Sequence, residues 1–494
     1  MADILSDFSS VDIHDGSVGK DAVEAGNLAA TEHIKGMVSA ANTNSETGTP
    51  PQAPPPPLLT EHPLLPFPTI TSTARKAKPL PRQRWSIFRV PDHIREVDRI
   101  AYTPRFISIG PFHYKAPALK AVEGRKLRFL NRMLERISHQ NEITQEGLKD
   151  AMKKLEGNTR ECYSEEFENI KSDEFVTMMV LDGCFVVELL RLSGMSYKKE
   201  LADDPIFATR SLPQNLGRDL LMLENQLPLF VLQKLFELTS SGKEETSLES
   251  LALQFFEPLR LGKEAIENLN VEKNMLYPHL LALFHSSFEP TNPHPPPTPI
   301  QNSSTSTHTY RTFSGKGWVY SAKSLSHAGV KFGTKPGNVL DMKFNDEDNV
   351  LQIPTLFVDD NTSPVLRNLL VYEQYDRWAS PYFSSLAVFL NNLVVTLDDM
   401  VILKQSGIIR AHCGDAELVN FLYSLTKDLA FDMDDCHFGK IIQDIRGFYQ
   451  TKTVKFRLFR RRTLKRIYKR IVPILMNITI IYVTTMISVY YNKP

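Results

Sequence analysis

Five acidic residues lie inside otherwise apolar stretches of this 494-residue chain: Asp182, Glu188, Asp219, Glu224 and Glu373. A carboxylate withdrawn from water acquires a raised pKa, and two such groups facing each other can serve as general acid and general base in a hydrolase. Asp182 and Glu188 are six positions apart on a helical pattern, about 240° around the axis, so they cannot form that pair alone. Glu224 with Glu373 could, if their helices cross, and Asp182 is a further candidate. The structural alternative makes these acids, with Asn225, Gln226 and Gln374, a satisfied polar network that fixes how helices dock. That alternative is preferred, and no catalytic residue is assigned.

Other chemistry finds less support. The chain holds no Walker-type phosphate loop, no GxGxxG after a strand, no GxSxG elbow and no HExxH. His412, Cys413, Cys436 and His437 have the types of zinc ligands, but adjacent residues point in different directions and paired Cys and His at ligand spacing are absent. The acidic run Asn345 to Asn349 lacks the glycine and terminal Glu of an EF-hand loop and reads as a solvated hairpin tip. No metal and no cofactor are expected. Asn302, Asn361 and Asn477 begin N-x-S/T triplets; in a cytosolic body the first two stay unmodified.

The elements that must position the acids follow from periodicity. Residues 85 to 114, with Pro104, Gly110 and Pro111, suggest an extended, strand-like opening segment. Leu119, Val122, Leu127, Leu130, Met133, Leu134 and Ile137 then recur at helical spacing, predicting an amphipathic helix with a basic outer face. Residues 175 to 192 are apolar on nearly all sides and predict a buried helix; Asp182 and Glu188 near its centre argue against a membrane span. The stretch DLLMLENQLPLFVLQKLFEL, Asp219 to Leu238, reads as a core helix keyed by Glu224, Asn225 and Gln226. Further helices are predicted at LESLALQFFEPL, MLYPHLLALF, VLRNLLVYEQY and FSSLAVFLNNLVVTL. MKF and LQIPTLFV alternate around the acidic turn, predicting a β-hairpin. Asp398 or Asp399 is expected to cap a short helix ending at Gly407, and Asp415 the next one.

Composition sets the frame. With 57 basic and 57 acidic residues overall and nine basic ones in the acid-free run 455–470, the remainder carries a formal −9. The run comprises Lys455, Arg457, Arg460, Arg461, Arg462, Lys465, Arg466, Lys469 and Arg470. An acidic body with one basic strip does not suit nucleic acid, which needs a positive face of groove size. Four widely spaced cysteines without a CxxC pair point to a reducing compartment. Ile471 to Tyr491 contains no charge over 21 positions, roughly 32 Å as a helix and enough for a bilayer core of about 30 Å. The basic run on its N-terminal side predicts a C-terminal anchor with the body in the cytosol.

IFRVPDHIREVDRIAYTPRFISIGPFHY, LKAVEGRKLRFL, VLDGCFVVELLR, DLLMLENQLPLFVL, AGVKF, LQIPTLFVDDNTSPVLRNLLVYEQ and the closing basic run plus span are arranged in one order from residue 87 to about 490. Together they resemble the land-plant family called domain of unknown function 247, of UPF0481 type. The resemblance implies a mostly helical plant protein, usually with one C-terminal transmembrane segment. Some members are implicated in self-incompatibility in grasses, which suggests recognition, and no catalytic residues can be carried over. The long proline-rich N-terminus departs from the pattern, as does the lack of a tryptophan after Pro473.

The expected fold is therefore mainly α, an α-rich α+β body with a small β-hairpin. Residues 1–84 are expected as a disordered Pro-rich tail, 85–454 as the helical domain with a flexible Pro/Ser/Thr loop at 289–313, 455–470 as a basic juxtamembrane segment and 471–491 as the span. Membrane and an unidentified protein are the expected partners, on the plasma membrane or an endomembrane.

Overall fold

A helix with large apolar side chains on every side has no face to offer water and must be surrounded. In the computed structural model that helix is Ser172–Gly194, and Phe175, Met179, Cys184, Phe185, Val186, Leu189 and Leu190 along it are all buried. The structure describes residues 85–138, 143–194, 209, 211–240, 246–262, 276–289, 320–432 and 435–491, without the side chains of 121–123, 453–462 and 489–491. The expected tail at 1–84, and the expected loop at 289–313 except Glu289, lie outside these residues.

The described helices run in order α1 (Asp92–Arg95), α2 (Lys120–Ser138), α3 (Gln145–Arg160), α4 (Ser172–Gly194), α5 (Leu212–Leu220), α6 (Leu229–Leu238), α7 (Leu248–Phe256) and α8 (Leu280–Ser286). After them come α9 (Ala322–His327), α10 (Thr362–Tyr375), α11 (Tyr382–Leu393), α12 (Leu397–Gln405), α13 (Asp415–Leu425) and α14 (Gly439–Tyr491). Helices α2, α3, α6 and α7 pack around α4, while α10, α11 and α13 form a second packed group with α12 at its side. The mainly α reading holds.

The strands are few. β1 (Lys331–Lys335), β2 (Lys343–Asn345) and β3 (Val350–Pro354) form one sheet in the order β1-β3-β2. β2 and β3 are the expected hairpin, antiparallel with Asn345 opposite Val350, and β1 adds in parallel on the other side. The expected strand through Val358 divides after Pro354. β4 (Leu356–Val358) instead pairs in parallel with β5 (Ile409–Ala411) in a second sheet. Proline has no N–H to donate to a ladder, which makes Pro354 a natural place to change partners.

Several local expectations need correction. The opening segment is not the expected extended strand: it holds α1 and a 3-10 turn at Arg99–Tyr102, and apart from one bridge between Ile87 and Tyr163 it joins no sheet; side chains do much of the holding. On α2, Leu127 is 48 % exposed while Lys126 is fully buried, so the inner face includes a charge and omits a leucine. The stretch 219–238 is two helices around a buried turn at 221–228. Pro228 disfavours helical backbone at the residue before it, which fits a break there. Thr396, not Asp398 or Asp399, caps α12; Asp399 is the third residue of a capping box and accepts the Thr396 N–H at 2.9 Å. Gly414 caps α13, and Asp415, its first residue, pairs with Lys404 at 2.5 Å. Gly407 does have positive φ, at 72°.

Candidate functional site

A buried turn leaves backbone and side-chain polar groups that water cannot reach, so each needs a protein partner. In the turn after α5 the amide side chains supply many of them. Asn225 Nδ2 donates to the carbonyls of Asp219 (2.9 Å) and Ile107 (3.1 Å), and Gln226 Nε2 to those of Leu220 (2.6 Å) and Met222 (2.8 Å). From α10, Asn368 Oδ1 accepts the Leu223 N–H at 2.9 Å while its Nδ2 donates to Ala101 O at 2.8 Å.

The acids around this turn are answered chiefly by the opening segment. Asp219 Oδ2 accepts three successive N–H groups, from Arg105 (2.9 Å), Phe106 (2.6 Å) and Ile107 (3.1 Å), and Oδ1 accepts from Arg218 at 3.0 Å. Burial lifts the Asp219 carboxyl above its ordinary range, against the opposing pull of the Phe106 amide and Arg218. Asn225 Oδ1 accepts from Ile109 N at 2.6 Å. Gly110 N donates to Asp182 Oδ2 at 2.9 Å, and Lys126 Nζ reaches Asp182 Oδ1 at 2.6 Å. Gly110 has φ +75°, and a Cβ there would stand 2.5 Å from the Gln226 carbonyl oxygen, so glycine is required twice over.

Glu224 is 1 % exposed. Its Oε1 accepts from Val90 N at 2.6 Å and from Arg95 Nη2. Around Oε2 stand His113 Nε2 at 3.4 Å and Arg89 Nη1 at 3.9 Å, with Arg89 also gripping Glu165 through two nitrogens at 2.5 and 3.0 Å. Glu188 faces Arg136 (3.2 Å) and Arg191 (3.9 Å).

Glu373 belongs to a different cluster. Its Oε1 meets His285 Nε2 at 2.8 Å and the Phe383 N–H at 2.7 Å, and its Oε2 accepts from the Ser384 N–H and hydroxyl, both at 2.7 Å. Glu224 and Glu373 share no hydrogen-bond or ion-pair partner among the described residues. A cleft of about 460 Å³ is lined by residues 257–262 with Phe357, Asp359, Asn361 and Thr362. A smaller one, about 40 Å³, lies between Ile94, Tyr102, Arg367 and Leu429. None of the five buried acids lines either cleft.

Of the zinc-like set, Cys436 is buried, with its thiol pushed up to about 11 by burial, and the His437 ring packs edge-on against Tyr382. Lys126, Asn368, His285 and Arg95 are the partners that sequence reasoning missed. Lys126 and Arg95 read as surface charges, and only the polar interruption of an apolar run marks Asn368.

The stretches that meet at this turn are among those whose order along the chain carries the resemblance. A family model described as a plant protein of unknown function, DUF247, matches residues 87–483. The chain belongs to this family. Among its relatives, a UPF0481 protein of Arabidopsis thaliana is 30% identical over 380 residues, covering 73% of this chain and 76% of that one. A putative UPF0481 protein of the same plant is 21% identical over 444 residues, covering 74% of this chain and 82% of the relative. No solved structure matches the chain at a significant level. The family match begins at Ile87, where the buried part of the opening segment starts, and runs into the apolar half of α14.

Proposed function

We propose that the chain is a membrane-anchored interaction or recognition module with its body on the cytosolic side. The observation that carries this reading is the character of α14. Phe438, just before it, and Ile442 and Ile445 within it are buried in the body, and Tyr449 stacks on Tyr320 with ring centroids 3.6 Å apart. The same helix then continues through Thr463–Ser488, which has a mean hydropathy of 1.9 and is covered by none of the other described residues. Apolar surface of that length is strongly unfavourable in water, at about 25 cal/mol per Å², and a bilayer removes it.

Lys465, Arg466, Lys469 and Arg470 are exposed directly before the apolar stretch, as the positive-inside rule requires of a cytosolic flank. Each can add about 1 kcal/mol of attraction to anionic headgroups. For Lys455, Arg457, Arg460, Arg461 and Arg462 the side chains lie outside the described residues. The recognition half of the reading rests on the buried acids. Apart from Glu224 Oε2, which makes no hydrogen bond among the described residues, their oxygens are turned toward amides, guanidinium groups, Lys126 and His285, which suits a rigid docking body better than acid–base work on a substrate.

Carbonate extraction of membranes carrying the full chain tests the anchor, with retention in the pellet expected. Release into the supernatant would sink it. Proximity labelling with and without residues 471–491 then reports which proteins surround the body and whether the span sets that neighbourhood.

A further inference from the structure

We infer that the span pairs with a second copy of itself through Asn477. This inference rests on the membrane reading above. Thr479, Thr484 and Thr485 all return their hydroxyls to carbonyls one turn back, at 2.7 to 2.9 Å, so their polar groups are satisfied within the helix. The Asn477 side chain makes no hydrogen bond with any described residue. Its amide offers two donors and an acceptor about 9 Å below Ile471, inside the hydrocarbon layer. An amide left unanswered there costs roughly 2–7 kcal/mol, and neither lipid tails nor water supply the partner.

Three polar residues of the helix share one side, while Thr479 lies on the opposite one and Thr485 about 80° away. At about 100° per residue, Asn477, Thr484 and Ser488 fall within roughly a 40° arc, while Tyr482 lies on the far side. Two threonine- and serine-sized residues below the Asn let a second backbone approach closely on that arc.

A second copy of this chain fits best because of depth and direction. Both bodies sit on the same side of the membrane, so two spans are parallel and Asn477 of each lies at the same level. A carboxamide is self-complementary, and a two-fold axis between the helices lets each Asn donate to and accept from the other. The length of α14 between Tyr449 and Ile471, about 33 Å, keeps the two bodies from colliding at the crossing point. Arg466 and Arg470 project above the same arc, so the stalks repel unless anionic headgroups screen them.

The test uses the full chain with Cys162 and Cys413 changed to Ser, reconstituted in phosphatidylcholine vesicles containing phosphatidylserine and oxidised. T484C is expected to give disulfide-linked dimer, and Y482C, on the opposite side, is not. Asn477→Leu added to T484C should lower the dimer yield by about three- to thirtyfold, the range measured for interhelical hydrogen bonds. Asn477→Gln, which keeps the amide, should restore it. Equal cross-linking at positions 484 and 482, or no effect of Asn477→Leu, overturns the pairing. Carbonate retention of the same samples separates the two failures: a retained chain that does not pair refutes only this inference, and a released chain refutes the anchor as well.

Discussion

His279 shows how a single side chain sets a pH dependence. Its Nδ1 accepts the Ala282 N–H at 3.1 Å and caps α8, so the proton sits on Nε2, 3.2 Å from the Ser86 carbonyl. Burial pushes its pKa down to about 3. The unfolded chain takes up a proton below about pH 6.5 that the folded state refuses, so stability is full above 6.5 and falls toward pH 3. At pH 5 the loss is about 2 kcal/mol. Urea midpoints at pH 7 and pH 5 should show that drop, and His279→Asn, which can still cap the helix, should remove it; an unchanged pH slope in the variant would exclude His279 as the cause. At Glu224, substitution by Gln keeps an acceptor for Val90 but removes the charge opposite Arg95. A loss of about 1.5–3 kcal/mol is expected in chemical denaturation. A variant of unaltered stability that has lost its biological function would speak for chemistry instead.

At the scale of elements, α2 and α4 are joined by the fully buried pair Lys126 and Asp182, and the opening segment is joined to α4 through Gly110 and to α2 through Ser108, whose hydroxyl accepts from Lys126 Nζ at 3.4 Å. Removing one member of such a pair strands the other charge in a medium that cannot solvate it. Lys126→Met should therefore cost about 3–5 kcal/mol, while the double variant with Asp182→Asn, which keeps an acceptor for Gly110, should recover part of it. Thermal melts of the two variants measure this, and a double variant no more stable than the single one would contradict it. The helices themselves are legible in the sequence because their cores repeat every three to four residues. The turn at 221–228 is not, since Leu221, Leu223 and Leu227 continue the apolar run while the backbone departs from it. Lys126 reads as an outer-face charge because nothing local reveals that Asp182 lies opposite. Glu224 announces that it needs a partner, yet its partners include a main-chain amide, and every residue type but proline carries one.

For the whole molecule, the proposed anchor makes its orientation a test of four exposed charges. Replacing Lys465, Arg466, Lys469 and Arg470 by Glu should weaken or invert the topology. A glycosylation acceptor appended after the span reports the outcome: modified in the parent chain and markedly less so in the variant. No difference between the two would show that other determinants set the orientation. The separation of a polar-keyed body from an exposed apolar helix is visible in sequence, because charge and hydropathy change abruptly near residue 470. Where a partner docks is not visible, since surface residues carry no repeating signal. The long reach of the opening segment also fixes a timetable. Ala101 must wait for Asn368, 267 positions later, before its carbonyl is answered. At about 5–20 residues per second, a ribosome needs on the order of ten to fifty seconds to cover that distance. Through that interval the site around Ala101 stays unfinished, although ISIGPF meets Asp182, Asp219 and Asn225 well before it ends. The opening segment is thus closed in stages as Cys162, Asp182, Asp219 and Glu224 appear, and only the arrival of Asn368 completes it.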